Sequence, residues 1–219
     1  MTFRIKICGI TSVQDALAAV EAGADAIGLN FYAGSPRCTN LRDAIQIAEA
    51  LEGDAQRIGV FANESAAAIR HICAETDILR VQLHGDEPPA IVSALRSDFQ
   101  VIRARRLDER GVTPIQDDIA ACRALCGLAP NAILVDAATT GQFGGTGKTV
   151  DWACVANYQQ WLGDVRLILA GGLTPENVAE AIRIVRPHAV DVASGVESSP
   201  GKKDPGKIRD FVTAARKAF

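Results

Sequence analysis

Residues 166–195 read RLILAGGLTPENVAEAIRIVRPHAVDVASG. The first run, Arg166–Ala170, is apolar on successive residues and too short for a helix. Such a run fits a strand buried on both faces, as in a parallel sheet. Two glycines follow. Pro175–Val185 then places Val178, Ala181, Ile182 and Val185 at helical spacing. Thr174 is expected to cap this helix, with Pro175 at its first position. A second apolar run, Ala189–Val192, closes the unit and ends in Ala193-Ser194-Gly195. Strand, helix, strand is the repeating unit of parallel α/β architecture.

The same unit recurs outward along the chain. Further strands are expected at Arg4–Cys8, Ala26–Asn30, Arg57–Phe61, Leu79–Leu83, Gln100–Arg103 and Ala132–Val135. Helical periodicity marks Val13–Ala22, Leu41–Leu51, Ser65–Cys73, Pro88–Leu95, Pro114–Cys126, Val150–Tyr158 and Lys207–Lys217. Ser12 is a candidate cap for the first helix, and Asn63 or Ser65 for the third. Eight strands alternating with eight helices are the number that closes a (β/α)8 barrel. No low-complexity segment or linker divides the chain, so one TIM-barrel domain over residues 1–219 is expected. An open doubly wound sheet is the alternative. It would carry a glycine-rich dinucleotide turn after the first strand, and none is present.

Composition agrees with a large aliphatic core. Of 219 residues, 48% are hydrophobic but only 5% aromatic, so Ala, Val, Ile and Leu must fill the interior. The formal net charge of −3 gives no general attraction to nucleic acid or anionic membrane. It leaves room for a local positive pocket. The N-terminus lacks the apolar core of a signal peptide, and no run is long enough to span a bilayer. A cytoplasmic protein with reduced thiols is expected. Cys122 and Cys126 share a helix face, but without a second cluster or a nearby His no metal site is expected. Gly144–Thr149 (GGTGKT) looks like a nucleotide-binding loop. That motif needs glycine where Gln142 stands, so the segment reads as a mobile loop over the barrel mouth.

The active site of a (β/α)8 barrel lies at the C-terminal ends of its strands. That rule selects candidates by position. Gly-rich turns after the seventh and eighth strands are the usual phosphate site of this fold, because backbone N–H groups approach closely there. Gly172, Ser194 and Gly195 are the phosphate candidates. Cys8 ends the first strand beside Gly9, with Lys6 on the same side two residues earlier. It is either a base or nucleophile in its thiolate form or a small core residue. Asp136 ends the sixth strand after an apolar run. Such a carboxylate can stay protonated and act as a general acid, or simply cap a turn. Arg37 could bind a substrate carboxylate through its planar fork. Gln82 and His84 close the fourth strand as candidate polar contacts to substrate, with a structural role for His84 the other reading.

These motifs carry a resemblance. KICGIT (Lys6–Thr11), GLNFYAGSPR (Gly28–Arg37), IGVF (Ile58–Phe61), VQLHGDE (Val81–Glu87), LVDA (Leu134–Ala137), GGTGKTVDW (Gly144–Trp152), LAGGLTPENV (Leu169–Val178) and VDVASGVESSPGKKD (Val190–Asp204) run in order through nearly the whole chain. Together they resemble the phosphoribosylanthranilate isomerase family. The resemblance implies a (β/α)8 barrel performing an Amadori rearrangement of a phosphorylated aminosugar in tryptophan biosynthesis, without metal or organic cofactor. It implies Cys8 as general base, Asp136 as general acid, Arg37 as the anchor of the anthranilate carboxylate, and Gly172, Ser194 and Gly195 as phosphate ligands. Members of that family occur as monomers, dimers and fused domains, so a monomer or homodimer is expected here. Two positions depart from the pattern: Cys38 beside Arg37, and Arg103, where lysine is commoner. The rival readings are another sugar-phosphate barrel and a binding protein on a retired barrel. Among the former are indoleglycerol-phosphate synthase and the histidine-pathway aminoaldose isomerase, which would use an aspartate pair.

Overall fold

Eight parallel strands close into a barrel in sequence order, each paired with its neighbours and β1 with β8. The structure, a computed structural model, describes residues 3–51, 53, 55–107, 110–136 and 152–219. The strands are β1 (Ile5–Cys8), β2 (Ala26–Asn30), β3 (Gln56–Phe61), β4 (Arg80–Leu83), β5 (Gln100–Arg106), β6 (Ala132–Asp136), β7 (Arg166–Ala170) and β8 (Ala189–Val192). Between and after them lie α1 (Val13–Glu21), α2 (Leu41–Ala50), α3 (Ala66–Thr76), α4 (Pro89–Leu95), α5 (Thr113–Cys126), α6 (Gln159–Leu162), α7 (Val178–Val185) and α8 (Pro205–Ala218). The expected fold class is therefore the observed one. Among the described residues no helix is long and apolar enough to cross a membrane. The GGTGKT segment lies outside the described residues.

Side chains alternate across each strand and divide the core in two. One set packs outward against the helices and includes Ile7, Ile27, Leu29, Val81, Val101, Ile133, Val135, Leu167, Leu169, Val190 and Val192. The other fills the barrel itself: Ala26, Ile58, Ile102, Ala104, Ala132, Leu134, Ile168, Ala170 and Ala189, with Phe3. This floor is aliphatic and rich in alanine. Towards the C-terminal ends the inward positions turn polar, with Lys6, Cys8, Gln82, Arg106, Asp136 and Asp191 continuing the same alternation.

Local chemistry sets the helix starts. Ser12, Asn40, Ser65 and Asp204 each accept a backbone N–H from the first turn of α1, α2, α3 and α8. Two expected helices are corrected. The sixth was expected at Val150–Tyr158. The described part holds a 3-10 turn at Trp152–Cys154, and α6 starts only at Gln159. Asn157 takes a left-handed conformation (φ 62°) and breaks the helix there. Trp152, Val155, Tyr158 and Leu162 are buried all the same, so the periodicity reported burial correctly but not backbone. The seventh helix begins at Val178, not Pro175. Asn177 accepts from the Thr174 amide (2.8 Å) and donates to the Gly172 carbonyl (2.9 Å), holding the preceding residues in a turn. A further element was not expected. β9 (Glu197–Ser199) and β10 (Lys202–Lys203) form a small antiparallel hairpin between β8 and α8. Thr11 donates to the Gly201 carbonyl at 2.7 Å, tying this hairpin to the loop after β1.

Candidate active site at the barrel mouth

Cys8 is the last residue of β1, half-buried, and its register partner on β2 is Gly28. A Cβ at Gly28 would stand 2.8 Å from Cys8 Sγ and 3.1 Å from Lys6 Nζ. The absent side chain thus leaves the space that both groups occupy. Lys6 is wholly buried, and its Nζ lies 2.8 Å from Oδ1 of Asp191, its register partner on β8. Burial works against the Lys6 ammonium, but Asp191 and then Cys8 more than offset it and raise its pKa. Burial pushes the Cys8 thiol up. The Lys6 ammonium pulls it down, Asp191 raises it, and Lys203 lowers it again.

Asp136 ends β6, three strand steps from β1 through β7 and β8. Leu134 and Ala132 lie in the barrel interior, so Asp136, two residues on, faces the same mouth. Its surroundings are not the purely apolar ones suggested by the run before it. Arg106 Nε stands 3.9 Å from its Oδ2. His84, just past β4, responds electrostatically to Asp191, Lys6, Asp136 and Arg106, so all five share one mouth. His84 is open to solvent, yet desolvation lowers its pKa, with Lys6 and Arg106 adding to the effect and the carboxylates opposing it. Gln82 is fully buried below it, and its amide nitrogen lies 3.0 Å from His84 Nδ1. With the amide donating there, the neutral ring carries its proton on Nε2.

Arg37 sits in the loop after β2. Its Nε and one terminal nitrogen each donate to the Glu197 carboxylate at 2.7 Å, a fork-to-fork pair. Glu197 also takes Lys203 Nζ at 2.9 Å. Glu197 is buried, which by itself raises its pKa, but Arg37 and Lys203 outweigh burial and hold it below the usual carboxylate range. The Arg37 stem lies over Gly9, where a Cβ would approach its Cδ to 2.6 Å.

The two glycine turns meet. A Cβ on Gly195 would lie 1.9 Å from the Leu173 carbonyl oxygen, so the turns after β7 and β8 abut with no room for a side chain. Gly171 and Gly172 have φ of 89° and 64°, which L side chains rarely adopt. β8 leads directly into a 3-10 turn, Ser194–Val196, the short extra helix that often completes a phosphate site in this fold. Among the described residues, no acceptor of the chain takes the N–H of Gly172, Ser194 or Gly195.

A family model described as N-(5'-phosphoribosyl)anthranilate isomerase matches residues 5–214. The chain belongs to that family. The N-(5'-phosphoribosyl)anthranilate isomerase of Trichlorobacter lovleyi is 45% identical to it, covering 99% of both chains. The crystal structure of the Thermotoga maritima phosphoribosyl anthranilate isomerase superposes with a TM-score of 0.86 at 40% identity, covering 99% of this chain and 100% of that one. Another family structure holds reduced 1-(o-carboxyphenylamino)-1-deoxyribulose 5-phosphate, at 38% identity and TM-score 0.82, with coverage of 99% and 100%.

Within this family's barrel, the departure at Arg103 falls away from the mouth. β5 continues to Arg106, and Arg103 faces outward. Its Nε is 2.6 Å from Asp118 of α5, and it donates to the Glu87 carbonyl. Arg106, not Arg103, brings charge to the mouth. Cys38 is exposed, and its thiol makes a weak contact with the Thr39 carbonyl. The sequence reading missed Asp191, Glu197, Lys203 and Arg106. Asp191 carried a signal, a charge inside the apolar run Val190–Val192. Glu197 and Lys203 lie in a polar stretch and carried none.

Proposed function

We propose that this chain catalyses the Amadori rearrangement of N-(5'-phosphoribosyl)anthranilate to 1-(o-carboxyphenylamino)-1-deoxyribulose 5-phosphate in tryptophan biosynthesis. The observation that carries the proposal is the shared mouth: a sulfur on β1 and a carboxyl on β6 face one interior above an aliphatic floor. The joined glycine turns of β7 and β8 sit at one edge of it.

Asp136, protonated, gives its proton to the furanose ring oxygen as the C1′–oxygen bond breaks. The nitrogen lone pair forms the Schiff base. The Cys8 thiolate then removes the C2′ proton, and the electrons move to the iminium nitrogen to give an enolamine. Tautomerisation places the carbonyl at C2′, so atoms and electrons balance within one molecule. Each acid or base is worth about 10²–10⁴-fold. The amides of Gly172, Ser194 and Gly195 hold the phosphate. Arg37, braced by Glu197, meets the anthranilate carboxylate with its remaining N–H groups, and Gln82 and His84 contact the sugar. Every residue given a role comes from one chain, so a monomer or a homodimer serves equally.

The test is the loss of phosphoribosylanthranilate fluorescence on adding the purified chain. Turnover should fall at least about 10²-fold in Cys8→Ser and in Asp136→Asn. Consumption no faster than the uncatalysed background in the unaltered chain would instead favour a binding protein. Near-intact turnover by Cys8→Ser would place the base elsewhere.

A further inference from the structure

The reaction assigned above needs a thiolate in a place that disfavours one. Cys8 lies where burial resists charge, and the charged groups that face it come from four elements. Lys6 is on its own strand, Asp191 on β8, Lys203 on β10 and Arg37 in the loop after β2. Of these, Lys6 exerts the largest favourable effect, and its Nζ and the Cys8 Sγ lie 3.1 Å and 2.8 Å from one point, the Cβ position that Gly28 lacks. A wholly buried lysine inside a barrel is costly to ionise unless it is paired. Asp191 supplies the pair at 2.8 Å and fixes the ammonium beside Gly28, in the space that Cys8 Sγ also enters.

We infer that Lys6, anchored by Asp191, is a positioning residue that holds its ammonium against the Cys8 sulfur and so sustains the thiolate used in catalysis. This rests on the reading of Cys8 as the base. The alternative is that Lys6 only neutralises Asp191 and closes the barrel floor. The two differ in sign and in rescue. If Lys6 acts on the sulfur, removing its charge disfavours the thiolate even when Asp191 is removed too. Asp191 itself opposes the thiolate, but more weakly than Lys6 favours it. Loss of both charges should therefore leave Cys8 between the single variant and the wild type.

The test is the rate of iodoacetamide alkylation at Cys8 from pH 6 to 10, read by mass spectrometry of its peptide. Exposed Cys38 and Cys154 serve as internal references. In Lys6→Gln, alkylation of Cys8 relative to Cys38 at pH 8 should fall about tenfold or more. The rising limb of kcat/KM should move to higher pH with it. Lys6→Arg, which keeps the charge, should recover most of both. The double variant Lys6→Gln/Asp191→Asn leaves no orphaned buried carboxylate and decides the matter if the single one does not fold. It should still react more slowly than wild type. Wild-type Cys8 reactivity in either the single or the double variant overturns the inference. Failure of the base assignment is read separately. Cys8→Ser would then turn over normally while Lys6→Gln still slowed alkylation.

Discussion

Replacing Gly195 with alanine adds one methyl group, and the structure fixes what that methyl meets. It would stand 1.9 Å from the Leu173 carbonyl oxygen, a backbone atom that cannot rotate away. Ordinary contact begins at about 3.4 Å, so the turns after β7 and β8 must separate by about 1.5 Å. A phosphate held by N–H groups from both turns cannot follow both, since a bond stretched from about 2.9 Å by that much is no longer made. A hydrogen bond to a charged group contributes about 1.5–3 kcal/mol, and each 1.4 kcal/mol is tenfold, so losing one raises KM about 10–100-fold. The phosphate is distant from the breaking bonds and is held alike in ground and transition states. The loss should therefore appear in KM with kcat little changed. Steady-state fluorescence assays over substrate concentration measure both constants, with circular dichroism confirming a folded variant. A folded Gly195→Ala enzyme with KM within about twofold of wild type would refute the argument that these turns hold the phosphate.

Other perturbations probe the remaining parts. Because burial pushes the Cys8 thiol up and the proposed base is its thiolate, kcat/KM should still be rising as the pH passes 9; a plateau already reached at pH 7 would contradict it. Glu197→Gln leaves Lys203 buried without its carboxylate and should cost about 3–5 kcal/mol in urea unfolding. Glu197 is held below the usual carboxylate range, so its contribution is present at neutral pH and shed on acidification through its folded pKa; the variant's stability should fall less over that acidic range. The same variant should raise KM, because Arg37 loses its brace. Leu134→Ala opens the fully buried barrel floor and should cost about 2–5 kcal/mol, measured the same way.

The strands were legible because parallel strands buried on both faces read as continuous aliphatic runs. All eight were placed, with errors at the ends only. Arg103 shows why ends matter. A strand stopped there makes Arg103 look like a rim residue, whereas alternation from Ile102 and Ala104, both interior, turns it outward and hands the rim to Arg106. The two misjudged helix starts turn on asparagines. A left-handed Asn157 and an Asn177 that stitches a turn with its side chain both leave the apolar spacing intact. Periodicity reports which side is buried, not where the backbone changes course. The β9–β10 hairpin was invisible because strands of three and two residues carry no pattern. Its turn residue Gly201, at φ 81°, was the available cue.

The charges at the mouth explain why, on the proposed reading, backbone N–H groups at glycines and not lysine or arginine would hold the phosphate. Lys6 is paired with Asp191, Arg37 and Lys203 with Glu197, and Arg106 stands beside Asp136. In the proposed reacting state, with Asp136 protonated, four cations stand against two carboxylates and the Cys8 thiolate and leave one net positive charge in a chain whose total is −3. A substrate bearing both a phosphate and a carboxylate is drawn to such a site. Yet three of the four cations already have a close partner, so none of those three is wholly free for the phosphate. The fourth, Arg106, stands on β5, two strands from β7, so at the β7 and β8 turns backbone N–H groups are the donors left, and they reach a phosphate only where no Cβ intervenes. The contact between Gly195 and the Leu173 carbonyl therefore does two things at once. It brings two turns from different strands to one point, and, in the proposed mechanism, it leaves the side chains of the mouth to the proton transfers.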